Sequence, residues 1–321
     1  MRNNINAFIK CITLLSISIL FIMLLIGCEK ISLPTRCAYV SCFNTPNDYL
    51  FIGNSNLHSR IMIYNKIDKT IKLLSKQIKG IDSFEYSPVS NKVAYTIPYS
   101  NDKYSEIWIS DIIGKNIKKI TNREQYDSRI TFSPNGNLIY FMSYSNEEIA
   151  RARLYKIDIK TMKQEILSEK YFSFISNLIV SNDEKYIAFS SGRHEKYMFL
   201  FNIETKEVKE ILGPIAHINP IKFIDEKTIL IGSCNYTYRQ MLDHDYKDNK
   251  IDGIYKLNIN TNKVEFLFKL LFGCPIKMSL DGKKVIYYDI VKFGYFELDV
   301  DTMEKIFLFD KDSIKESKIL F

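Results

Sequence analysis

The sequence predicts an all-β protein, a six-bladed β-propeller of four-stranded antiparallel blades. Two observations carry this reading: one strand-turn-strand pattern recurs six times, and a second, different turn recurs six times in step with it. A third is the period. Successive copies of the second turn stand 46, 47, 44, 56 and 41 residues apart, near the roughly 40 to 50 residues of a propeller blade.

The clearest unit is Ile130 to Leu167, ITFSPNGNLIYFMSYSNEEIARARLYKIDIKTMKQEIL. A short apolar strand ends at Ser133-Pro134, an Asn135-Gly136 turn follows, and an alternating strand spans Leu138 to Ser143. A polar loop, a strand from Arg153 to Asp158, a tight turn and a last strand from Gln164 to Leu167 complete it. Turn residues separating runs rich in β-branched and aromatic side chains mark an antiparallel meander. The strand-turn start recurs from Phe84, Leu178, Ile221 and Ile276, with a weaker copy from Ser41. The second turn is Asp111 to Gly114, Asp158 to Thr161, Asn202 to Thr205, Asn258 to Thr261 and Asp299 to Thr302, with a looser copy from Asn65 to Thr70. One isolated meander exposes both faces and both edges, whereas a radial array buries the faces against neighbours. A sandwich needs no period this regular. The segment SKILF after the last unit is expected to add an edge strand or clasp to the first.

The stretch FSPNGNLIYFMSYS followed by RLYKIDIKT resembles the repeat of TolB-like, or WD40-like, β-propellers, and VSNDEKYIAFSSGRHEKYMFLFNIET is similar. The unit at Phe223-Ile224-Asp225 departs from the pattern by lacking the serine and proline. The resemblance implies periplasmic or surface scaffolds, ligand-binding domains or caps on serine peptidases, and the fold does not choose among them. A peptidase cap precedes a domain with a Gly-x-Ser-x-Gly elbow. Ile231-Gly232-Ser233-Cys234 lacks the second glycine, and residues 311 to 321 are too few for such a domain. The expectation is therefore a non-enzymatic binding scaffold, the alternative being a lyase or hydrolase at the mouth of the central channel using His217 with Arg193 or Arg239. Ser87, Ser133, Ser181 and Ser279 have a structural role instead: each ends an inner strand and bonds the following turn.

Arg2 and Lys10 flank the start of the apolar run Cys11 to Gly27, and no acidic residue occurs before Cys28. This is the layout of a secretory signal, with an uncleaved anchor as the other reading. Leu25-Ile26-Gly27-Cys28 resembles the lipobox of bacterial lipoproteins, which implies lipidation of Cys28 and cleavage before it. The expected organisation is a signal over 1–27, an anchor linker over 28–36 and the propeller over 37–321, membrane-anchored and extracytoplasmic in a bacterial envelope. Loss of residues 1–27 removes Arg2 and Lys10 and takes the formal charge from +7 to +5 over 294 residues. Lysine and glutamate interleave, as in TKEVKEIL, which reads as solvation and excludes a nucleic-acid partner.

The loops between second and third strands are long and rich in tyrosine and arginine, residues that dominate binding hot spots. Tyr99, Tyr104, Tyr144, Arg151, Arg193, Tyr236, Tyr238 and Arg239 define the expected ligand-binding face, for an envelope protein or a small ligand. His58, His194, His217 and His244 fall in loops of the same face but belong to different units. Asp243, Asp245, Asp248 and Asp252 crowd one loop with the oxygen ligands that calcium takes. Lys247 interrupts them and no glutamate closes the set, so calcium and a solvated insertion both stay open; no other cofactor is expected. Cys234 ends the second strand of the fifth unit and Cys274 opens the first strand of the sixth, on the same face of neighbouring blades, leaving a disulfide or two buried thiols open.

Because no other residue supplies an acceptor thiol at the cut, Cys28→Ser is expected to abolish incorporation of a labelled fatty acid and to leave the precursor uncut. Unchanged label would exclude the lipoprotein reading.

Overall fold

The computed structural model describes residues 36–42, 47–55, 58–75, 78–99, 104–121, 125–144, 151–173, 175, 177–192, 197–212, 218–233, 252–270, 273–279, 282–289, 292–310, 312–313 and 318–320. All of them belong to the unit Pro34–Phe321. Strands β1 (Arg36–Cys42), β2 (Asp48–Ser55), β3 (His58–Asn65) and β4 (Thr70–Leu73) form an antiparallel meander, with β5 (Ile78–Lys79) on β3. Three further meanders follow the same order. They are β14 (Leu178–Val180) to β17 (Val208–Leu212) through β15 (Tyr186–Ser191) and β16 (Tyr197–Asn202); β18 (Ile218–Phe223) to β21 (Val264–Lys269) through β19 (Thr228–Ser233) and β20 (Gly253–Asn258); and β22 (Gly273–Met278) to β25 (Lys305–Asp310) through β23 (Lys284–Asp289) and β24 (Gly294–Asp299).

The remaining strands correct the expected six-bladed arrangement. β6 (Ser83–Ser87), β7 (Lys92–Pro98), β8 (Ser105–Asp111), β9 (Lys118–Lys119), β10 (Tyr126–Phe132), β11 (Leu138–Tyr144), β12 (Ala152–Asp158) and β13 (Gln164–Ile166) belong to one continuous eight-stranded sheet. The described strands thus form three four-stranded sheets, one six-stranded sheet and one eight-stranded sheet, not six separate four-stranded blades. β9 pairs with Trp108 and Ile109, and Ile120 and Thr121 carry the bonding on to Ile107, beyond which the start of β8 is met by β10. Tyr126 of β10 pairs there with Ser105 in parallel. The Ser105 amide donates to Gln125 O at 3.1 Å, and the Ser105 hydroxyl donates to Asp127 O.

The turns explain why the two sequence landmarks recur. Ser133, Ser181 and Ser279 each accept, through Oγ, the amide of the residue five positions on, at 2.9 Å. In the second landmark the Asp or Asn carboxyl or amide oxygen caps the turn: Asp158 Oδ1 accepts from Lys160 N at 2.9 Å and Thr161 N at 2.7 Å, and Asn65, Asn202, Asn258 and Asp299 repeat the pattern. Four residues after each of these caps, Lys69, Met162, Lys206, Asn262 and Met303 take positive φ between 49° and 63°. The Asp111 turn departs from this, bonding Lys115 N and using Gly114 for the left-handed position.

Second strands are buried on both faces because each sheet is sandwiched between neighbours, so β2 and β11 read as nearly continuous apolar runs. The outer strands β13, β17, β21 and β25 each carry an exposed Lys or Glu, which blunts their edges. An apolar cluster lies between successive sheets, as between β14–β17 and β18–β21, where Leu200 and Ile211 meet Ile229 and Leu257. The last meander packs on the first in the same way: Tyr295 and Phe309 join Phe51 and Tyr64, with Phe309 centred 4.8 to 5.4 Å from the other three rings. Beside them Glu297, 2% exposed, accepts from Lys284 Nζ at 2.8 Å, Lys66 Nζ at 3.5 Å and the Tyr49 hydroxyl. β26 (Lys318–Leu320) then adds to the first meander, parallel to β4, with Ile319 opposite Ile71. This is the edge strand expected of SKILF.

Glu297→Ala would leave two lysines and a phenol facing a void, and is expected to cost about 2–4 kcal/mol. Glu165→Ala, which removes an exposed carboxylate shared by Lys156 and Lys206, should cost less than about 0.5 kcal/mol. Equal urea midpoints for the two variants would refute the role given to Glu297.

Candidate functional site

Two places at opposite ends of the propeller concentrate polar chemistry. The first is the edge of the eight-stranded sheet where the second-to-third-strand loops leave it. Tyr99 and Tyr104 flank the loop between β7 and β8 with ring centroids 4.3 Å apart. The Tyr99 hydroxyl donates to Glu106 Oε2 at 2.6 Å, and Lys119 Nζ donates to Glu106 Oε1 at 3.1 Å, so a buried carboxylate fixes the phenol. That bond, with burial and the nearby negative charge behind it, raises the Tyr99 pKa to about 12. The parallel bridge at Ser105 brings Tyr126 to the same edge, 6.2 Å from Tyr144 and edge-on to it. Tyr126 donates to Asp82 Oδ2 at 3.2 Å. Beyond Tyr144, Arg151 and Arg153 lie over the Tyr171 ring at 5.7 and 5.2 Å, and the arginine faces solvent at 151.

Four of the expected face residues, Tyr99, Tyr104, Tyr144 and Arg151, therefore share this edge. Arg193, Tyr236, Tyr238 and Arg239 lie outside the described residues, as do Cys28, Cys234, His194, His217, His244, Asp243, Asp245 and Asp248 and the side chains of Cys274 and His58. Asp252 is described, and it is fully buried immediately before β20. Sequence reasoning missed Tyr126, Arg153, Tyr171 and Glu106. The signal for Tyr171 was available, since it sits in a blade-to-blade connection on the same side; Glu106 could be found only through the tertiary bond to Tyr99.

The second place is the central channel. Inner strands β6, β10, β14, β18 and β22 line a cavity of about 190 Å³ where they run out into the first-to-second-strand turns, beside Pro88, Pro134 and Asn182. This end is opposite the tyrosine edge. Glu85, Thr131, Ile179, Lys222 and Lys277 all line it, and each stands two residues before the landmark serine or, for Lys222, its substitute Ile224. Lys277 Nζ donates to Glu85 Oε2 at 2.6 Å, and Lys222 Nζ donates to Ser279 O at 2.8 Å. This column is visible once the repeats are superposed, but its charges carry meaning only after the strands are known to face one channel.

No family model matches the chain, and no curated protein matches its sequence. Among solved structures the chain is similar to TolB from Acinetobacter baumannii, with 16% identity and a TM-score of 0.55 over 81% of this chain and 67% of TolB. It is similar to the β-propeller domain of the Trilobed protease from Pyrococcus furiosus, which has an open velcro topology, with 15% identity and a TM-score of 0.52 over 84% of this chain and 83% of that one. A chain of a nidogen/laminin complex gives 9% identity and a TM-score of 0.61 over 83% of this chain and 95% of that one. These likenesses establish the fold, a TolB-like β-propeller.

Removing the acceptor should free the phenol at the tyrosine edge. In Glu106→Gln the Tyr99 titration, followed by carbon NMR of labelled tyrosine, is expected to fall from about 12 back toward the ordinary 10. An unmoved titration would mean that Glu106 does not hold Tyr99.

Proposed function

We propose that the protein is a lipid-anchored, extracytoplasmic propeller of the bacterial cell envelope that works as a non-enzymatic binding scaffold, its tyrosine and arginine edge docking an envelope protein or a small ligand. The observation that carries the reading is the order within that edge. Tyr99 and Tyr126 are tied by hydrogen bonds to carboxylates, and Tyr171 lies under two guanidinium groups. Large side chains already held in place lose little freedom when a partner arrives, so more of the contact energy reaches the affinity. The run before Cys28 supports export and anchoring. The likeness to TolB and to a chain of a nidogen/laminin complex is in keeping with a propeller that binds protein.

A photoreactive amino acid placed at Arg151 in the full chain should give a discrete adduct in cells, and one placed at Glu210 on the outer strand β17 should not. Replacing 235–251 by a short turn, with the buried Asp252 kept, is expected to spare folding and weaken that capture. Identical adducts from both positions, or capture unchanged in the shortened chain, would put the binding surface elsewhere. Turnover of the captured ligand would overturn the non-enzymatic part.

A further inference from the structure

We propose that the channel cavity is an oxyanion site, in which Lys222 and Lys277 hold the carboxylate or phosphate group of a small ligand. The inference goes beyond the scaffold reading, because it concerns the other end of the channel and different residues.

The first argument is the composition of the channel column. A position that faces the axis in every repeat and served packing alone would be apolar, since ionisable groups withdrawn from water are costly unless they are paired. Here three of the five described positions, Glu85, Lys222 and Lys277, carry charge. The second argument is convergence. Lys222 comes from β18 and Lys277 from the next inner strand, β22, and the Lys222 ammonium is tied to the carbonyl of Ser279, two residues beyond Lys277. Lys277 Nζ turns to Glu85 of β6, so two ammonium groups from adjacent inner strands border one cavity.

The third argument is that the site already holds a carboxylate. Glu85 reaches from β6 to accept from Lys277 at 2.6 Å, with the two side chains only 21% and 30% exposed. The lysine is thus placed to donate to an oxyanion inside the cavity. Two lysines against one glutamate leave a formal +1 on the described lining, and apolar walls such as Phe132, Ile179, Phe223 and Met278 concentrate that potential. Ammonium groups act as rotatable point charges, which suits carboxylate and phosphate alike. The volume sets the size of the ligand: at about 190 Å³ the cavity is below the roughly 300 Å³ where drug-sized sites begin, so it fits a small anion.

Binding to the full chain would be measured by calorimetry with inorganic phosphate and, separately, with succinate, ionic strength being held constant with chloride. Saturable binding of at least one is expected, and the one that binds identifies the oxyanion. Lys222→Gln with Lys277→Gln should weaken it roughly tenfold or more. Glu85→Gln should tighten it several-fold, because the competing carboxylate is gone and the lining charge rises. Lys206→Gln, an exposed lysine far along the repeat, should leave it unchanged. If the double variant does not fold, the ligand should still protect Lys222 and Lys277 of the unaltered protein from acylation, read by mass spectrometry against Lys206. No saturable binding of either anion, equal affinity in a folded double variant, or absence of protection would overturn the proposal. Adduct formation at Arg151 should be the same in all these variants, so failure here is distinguishable from failure of the scaffold reading.

Discussion

The whole structure depends on the joint between its last meander and its first. Every sheet needs a neighbour on each side to cover its apolar faces, and chain continuity brings the neighbour at every joint but this one. β22–β25 must find β1–β4 across the full length of the propeller. Tyr295, Leu308 and Phe309 against Tyr49, Phe51 and Tyr64 supply the bulk of the attraction, which is strong but indifferent to small shifts. Glu297 adds direction, since one buried carboxylate must meet Lys284 of its own meander and Lys66 and Tyr49 of the other. A slipped joint would bury that charge without its partners.

The same three-part chemistry occurs at the tyrosine edge. Glu106, like Glu297, is a buried glutamate on a third strand held by a lysine and a tyrosine hydroxyl. At Glu297 the arrangement joins two sheets. At Glu106 both partners, Lys119 of β9 and Tyr99 just beyond β7, come from the same sheet and its rim, and the product is an oriented phenol. One local solution thus serves assembly in one place and orders a tyrosine edge in another.

Much of the fold was legible because its turns are written in side chains. Ser133 and Asp158 make their turn bonds within five residues, so their role shows in any window of that length, and their recurrence reveals the period. The fusion of β8 to β10 was not legible. It rests on one parallel pair, Ser105 with Tyr126, and nothing in the local sequence of either strand announces that partner. The tyrosine edge was half visible, because loop tyrosines announce themselves by composition, whereas Tyr126 arrives there through a parallel bridge to a residue 21 positions away. The charged channel column stood in the repeats, but one column of mixed residues looks like drift until the strands are known to face each other.

β26 lies parallel to β4, so the strand that follows the last meander completes the outer edge of the first. In synthesis from the N-terminus, β1–β4 emerges first and is finished last. Until β22–β25 and β26 arrive, its Tyr49, Phe51 and Tyr64 face and the free edge of β4 stay uncovered, and both are surfaces on which chains stick to one another. Contacts this distant in sequence also form slowly. The earliest part of the molecule is therefore the part most in need of protection while the rest is made, and a pause late in the chain leaves it exposed longest.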